Sequence, residues 1–147
     1  MEIEIVTREL RLNIFGFGGT AWNKDYAATA FRLSGKMWDV VKSHHIKNKG
    51  KNIWVYNASD TVFAAVELED AAISGDKHGL ETTTLILPKY AYFKHIGPYS
   101  MIGQTGQNMR NELGKRGFEV TLPYVEIYGH WTKDETQLET ELQMCLK

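Results

Sequence analysis

The chain has 147 residues, 43% of them hydrophobic and 24% charged, which suits one compact domain that builds its own core without disulfides or a structural metal. Its 17 lysines and arginines against 18 aspartates and glutamates leave a formal charge of -1, so bulk electrostatics exert no pull toward nucleic acid or an anionic membrane. The lone Cys145 excludes an internal disulfide and a cysteine-rich zinc site. The start Met1-Glu2-Ile3-Glu4-Ile5 lacks the basic and apolar stretches of a signal peptide, so a reducing, cytoplasmic setting with no membrane contact is expected.

From Glu2 to Phe17, apolar residues at a spacing of two predict one or two strands, and Gly16, Gly18 and Gly19 read as the break that ends them. Asp25 to His45 reads as a helix, with Ala27, Phe31, Ser34, Trp38, Val41 and His45 along one stripe. Asn52–Tyr56 and Thr61–Leu68 read as a hairpin around the polar turn Asn57–Asp60. Glu69 to Glu81 is small and polar, and reads as a loop.

A second round follows. Thr82 to His95 is extended, and Gly97-Pro98 stops it. Tyr99 to Arg116 is helical, with Ile102, Thr105, Met109 and Leu113 on one stripe and Gly117 at its end. Tyr124 to Trp131 and Glu141 to Leu146 complete it as strands. The order strand, helix, strand, strand occurs twice, at about residues 1–70 and 82–147, within one domain spanning 1–147. The expected fold class is α+β, with duplicated β-α-β-β halves related by a pseudo-twofold axis. Helices are expected on one face of an antiparallel sheet and a ligand cavity on the other.

Strand alternation separates two kinds of face. Ile53 and Val55 oppose Trp54 and Tyr56; Val125 and Ile127 oppose Glu126, Tyr128 and His130. The aliphatic faces suit packing against helices. The aromatic faces, with an acid among them, suit a flat, cationic or polarisable ligand. A cation desolvated over a ring gains roughly 2 kcal/mol, and it offsets the several kcal/mol that an isolated buried carboxylate costs.

Other clusters are weaker. Lys47-Asn48-Lys49-Gly50-Lys51 reads as a solvated loop. His44-His45 reads as a helix end, since neighbours on a helix diverge by about a quarter-turn and chelate metal or haem poorly. Gly16 to Gly19 lacks the Lys-Ser/Thr of a phosphate loop. Neither a metal nor a cofactor is implied. Glu67 and Glu141 are secondary candidate acids at a solvated rim.

Two motifs carry a family resemblance. His95-Ile96-Gly97-Pro98-Tyr99 resembles the entry to the second helix of the GyrI-like effector-binding domains, and Pro123-Tyr124-Val125-Glu126-Ile127-Tyr128 resembles their acid-bearing strand. Leu138–Leu146 is similar to their closing strand, and the first half matches more loosely. The resemblance implies a central cavity in which a buried glutamate meets lipophilic cations. That glutamate would be Glu126, with Tyr128, Tyr99, Trp54, Tyr56, Tyr92 and Trp38 as walls. In regulators such domains accompany a DNA-binding domain, for which these residues leave no room. Action on transcription would then need a partner, and direct nucleic-acid binding is not expected. Two further activities stay open from the resemblance. One is hydrolysis of reactive cyclopropane compounds, with Glu126 as base and Tyr128 or Tyr99 as proton donor. The other is protein interaction, as in gyrase inhibition.

Overall fold

Short runs of alternating apolar residues form eight strands, and these join into one sheet. The computed structural model describes Met1–Lys147. The strands are β1 (Glu4–Val6), β2 (Leu10–Thr20), β3 (Asn52–Tyr56), β4 (Thr61–Val66), β5 (Glu81–Leu87), β6 (Tyr90–Ile96), β7 (Val120–Tyr128) and β8 (Glu139–Leu146). Helix α1 (Tyr26–Ser43) follows β2, the short α2 (Asp70–Ile73) follows β4, and α3 (Ile102–Lys115) follows β6. Every pairing is antiparallel, in the order β1-β6-β8-β7-β3-β4-β2-β5. The α+β class and the antiparallel sheet are as expected. Exchanging β1–β4 for β5–β8 turns this order into its own reverse, a symmetry of connectivity.

The turn at Pro88-Lys89 controls the shape of the sheet. It joins β5, at one end of the strand order, to β6, beside the other end. A chain spans at most about 3.6 Å per residue, so so short a link forces the two ends together. The sheet therefore rolls over one of its faces. Ile14, Ile53, Val55, Leu85, Leu87, Val125 and Ile127 meet there in a core made of strands alone. This corrects the expectation that the aliphatic sides of β3 and β7 pack against helices: they pack against the rest of the sheet.

Both long helices lie on the opposite, outer face. Under α1, Leu33, Met37 and Val41 pack on Phe15, Phe17, Val62, Ala64 and Val66. Under α3, Ile102, Met109 and Leu113 pack on Ala91, Leu142 and Met144. Each helix covers the strands of its own half. The central pair β3–β7 lies between them, and the cavity opens on this helix-bearing face, not on the bare one that was expected.

Several boundaries also move. Gly16, Gly18 and Gly19 lie inside β2 and do not end it. A Cβ on Gly16 would fall on the Ala64 carbonyl oxygen, so glycine lets β2 press closely against β4. The stretch Thr82–His95 is two strands, the 69–81 loop contains α2, and β7 ends at Tyr128. On α1 the sheet-facing residues include Ala30, Leu33, Met37 and Val41, whereas Phe31 is 74% exposed. Of the stripe read from the sequence, Ala27, Phe31, Ser34 and Trp38 face the cavity, Val41 packs on the sheet, and His45 lies past the end of the helix.

Candidate functional site

The floor of the site follows from period-two alternation on the two central strands. Trp54 and Tyr56 project from β3 to the same side as Tyr124, Glu126 and Tyr128 from β7, because Trp54 is paired with Glu126 and Tyr56 with Tyr124. Helix α1 supplies one wall through Phe31, Ser34 and Trp38, and α3 supplies the other through Ile102, Gly103 and Arg110. The space between them is about 1160 Å³. That is ample for a multi-ring small molecule.

Glu126 is the centre of the floor and only 7% exposed. Its Oε1 accepts from the Tyr128 hydroxyl at 2.7 Å and the Tyr56 hydroxyl at 3.1 Å, and its Oε2 accepts from Tyr124 at 2.8 Å. Hydrogen bonds to a charged group contribute roughly 1.5–3 kcal/mol each, and three phenols substitute for the water that burial removes. The phenols are well matched to the task. Burial first, then the Glu126 charge and the hydrogen bond to it, push the Tyr56, Tyr124 and Tyr128 hydroxyls far above the ordinary tyrosine range. They therefore stay protonated and remain donors.

The rings pack on one another around this acid. Tyr56 stacks on Tyr124 with centroids 5.6 Å apart, and Tyr128 receives the edges of Trp54 at 4.7 Å and Tyr99 at 5.3 Å. Trp38 is fixed by its indole N–H, which donates to Asn52 Oδ1 at 3.2 Å, and Ser34 donates to the same oxygen at 2.9 Å. The Trp54 indole N–H is buried and has no acceptor within the protein. Tyr99 is placed by the turn that leads into α3. There His95, 7% exposed, lies 3.1 Å from the Pro98 carbonyl through Nε2 and 2.9 Å from Thr105 Oγ1 through Nδ1. A carbonyl only accepts, so Nε2 carries the proton and Nδ1 accepts from Thr105.

Six of the seven residues singled out in the sequence thus surround one cavity: Glu126, Tyr128, Tyr99, Trp54, Tyr56 and Trp38. Tyr92 does not. On β6, Ala91 and Phe93 face α3, so Tyr92 points to the rolled inner side, where its hydroxyl donates to Glu141 Oε1 at 2.7 Å. Glu141 is thereby engaged elsewhere, and Glu67 pairs with Lys49 at 3.4 Å. Tyr124 was quoted only as part of a motif, although its spacing of two from Glu126 places it on the same face. Tyr26, Asp60, Arg110 and Trp131 line the cavity and were not anticipated, because only tertiary packing brings them there. No group of histidine, cysteine or acidic side chains is arranged to hold a metal ion, and no helix is long and apolar enough to cross a membrane.

No protein-family profile matches the sequence, and no curated protein does. Solved structures do match. The C-terminal domain of EcmrR aligns with a TM-score of 0.69 at 13% identity, covering 100% of this chain and 99% of that one. SAV2435, solved bound to tetraphenylphosphonium, aligns with a TM-score of 0.64 at 15% identity over 100% of this chain and 94% of that chain. A hydrolase from Listeria innocua aligns with a TM-score of 0.61 at 11% identity over 99% of this chain and 92% of its own. At such identities the likeness is one of architecture, and the architecture is that of the GyrI-like effector-binding domains.

Proposed function

We propose that this chain binds lipophilic aromatic cations in the groove between α1 and α3, with Glu126 supplying the countercharge and the surrounding rings the stacking surface. The observation that carries this reading is the state of Glu126. It is buried and held by three phenols. No lysine, arginine or histidine lies within ion-pair distance of it. A carboxylate so placed adds an unmet charge to a wall of π faces, and a desolvated cation satisfies both. The fold match to a protein that holds tetraphenylphosphonium, a lipophilic cation, supports the same reading. Binding alone would suffice to sequester such compounds, and sensing them would need a partner as well.

Hydrolysis in the same groove is the second reading, supported by the fold match to a hydrolase. It would use Glu126 as general base. Both Glu126 oxygens already accept phenols, and the raised Tyr128 hydroxyl is a poor proton donor. Binding is therefore the better-supported function.

Fluorescence titration with flat cationic dyes and matched neutral analogues tests this. Wild type should bind the cations, and Glu126→Gln should weaken them by about 10- to 100-fold with neutral analogues little affected. Equal affinity for cations in both proteins would sink the proposal.

A further inference from the structure

The cavity continues past Glu126 to a second carboxylate. At the far end of the groove, beyond Tyr56, Asp60 lines the same space together with Tyr26, the first residue of α1. The Tyr26 hydroxyl donates to Asp60 Oδ1. This repeats in small the pairing of Tyr128 with Glu126. Asp60 has no basic side chain within ion-pair distance, and Lys24, which lines the same end, pairs with neither Asp60 nor Asp25. The space between the two acids is aromatic. The ring of Tyr26 meets Tyr56 edge-on at 6.2 Å, and Tyr56 stacks on Tyr124.

Strand register gives the separation. Trp54, opposite Glu126, pairs with Ala64, and the hairpin continues to Asn57, whose N–H donates to the Thr61 carbonyl at 2.9 Å. Asp60 is therefore level with Ala58, some four residues along the strand from Glu126 and up to two strands across, from β7 over β3 to the β4 side of the turn, or about 13–16 Å at the usual rise and strand spacing.

We propose that the groove holds a second cation subsite at Tyr26 and Asp60, and that its preferred ligands are elongated dications with charges about 13–16 Å apart. This rests on the reading of Glu126 as a cation site. One positive end sits over the tyrosine cage of Glu126, the apolar middle lies along Tyr56 and Tyr124, and the other end meets Asp60. The second contact is half-buried and more solvated than the first. Its gain is correspondingly modest, about five- to tenfold in affinity over a monocation of the same length.

The test is a titration with bis-pyridinium salts joined by polymethylene linkers of increasing length, each beside a mono-pyridinium of the same chain with a neutral end. The expected result is a ratio of bis to mono affinity that rises to a maximum at one linker length and falls beyond it. Asp60→Asn should bring that ratio to about one, and asparagine tolerates the positive φ of 56° at this position. A ratio near one at every length in wild type, or a raised ratio that survives Asp60→Asn, overturns the second subsite. The linker series in wild type stands even if the variant fails to fold. If the monocations bind with Glu126 dependence, loss of the length optimum removes only this inference. If no cation binds, the reading of Glu126 falls and takes this one with it.

Discussion

Trp54 and Glu126 face each other across the seam where the two halves of the sheet join, as a direct β3–β7 pair with side chains on the same face. The two side chains are therefore neighbours, yet the indole N–H and the carboxylate are not bonded. Glu126 takes its hydrogen bonds from three phenols, and Trp54 Nε1 has no acceptor. The indole contributes a ring face and a packing edge to the floor. Trp54→Phe deletes an unpaired buried donor, so thermal or urea denaturation should show a stability within about 1 kcal/mol of wild type. The same variant should bind flat cations several-fold more weakly, because phenylalanine presents a smaller π face.

All seven tyrosines have hydroxyls shifted above the ordinary value, most strongly the three around Glu126. Burial leads for six of them, and the bond to Asp60 leads for Tyr26. A raised folded-state value means that the protonated phenol is favoured by folding. That contribution is complete below pH 10.0, the unperturbed value, and is lost as pH climbs through the folded-state values. Phenolate absorbance should therefore lag behind that of free tyrosine and rise together with loss of far-ultraviolet circular dichroism. A titration in which most tyrosines ionise near pH 10 in the folded protein would contradict the buried cage.

Much of this was legible in the sequence, but the faces were not. Alternation placed Trp54, Tyr56, Glu126 and Tyr128 together correctly, since period two is a property of any strand. Which side of a strand meets a helix is decided by how the sheet rolls, and that depends on the short Pro88-Lys89 link between distant strands. For the same reason Tyr92, equally aromatic, falls on the other side. Tyr26 and Asp60 are separated by more than thirty positions in sequence, and only the packing of α1 beside the β3–β4 turn unites them.

His95 ties the turn before α3 to the helix itself. It donates to the Pro98 carbonyl and accepts from Thr105, and both bonds are partly buried. His95→Ala leaves these two groups without partners and should cost about 1–3 kcal/mol in urea denaturation. Because Tyr99 follows Pro98 directly, the variant should also loosen the edge contact of Tyr99 on Tyr128 and reduce dye affinity. A fully stable variant with unchanged affinity would show that the turn holds itself.

Two glycines make a controlled pair. At Gly16 an added methyl would overlap the Ala64 backbone, which cannot yield without breaking the β2–β4 ladder. Gly16→Ala should destabilise by roughly 3 kcal/mol or prevent folding. At Gly114, inside α3, nothing lies within 4 Å of the added atom. Gly114→Ala should stabilise by about 0.5–1 kcal/mol through helix propensity. Similar melting temperatures for both variants would refute the close approach of β2 and β4.

Arg110 sets the last constraint on what the groove accepts. It projects from α3 over the Tyr124 ring, with its guanidinium carbon 5.1 Å from the ring centroid, and it has no carboxylate partner. The ring face it covers is one that a ligand cation would use, and its own charge opposes a second positive charge nearby. Tyr124 also donates to Glu126, so Arg110 stands close to the acid without neutralising it. Arg110→Gln should raise affinity for cationic dyes by about two- to fivefold, consistent with a contact of 0.5–1 kcal/mol at an exposed site. Neutral analogues should change little, and the cation advantage should shrink as salt is added. A loss of cation affinity in this variant would mean that Arg110 organises Tyr124 for binding and does not compete with the ligand.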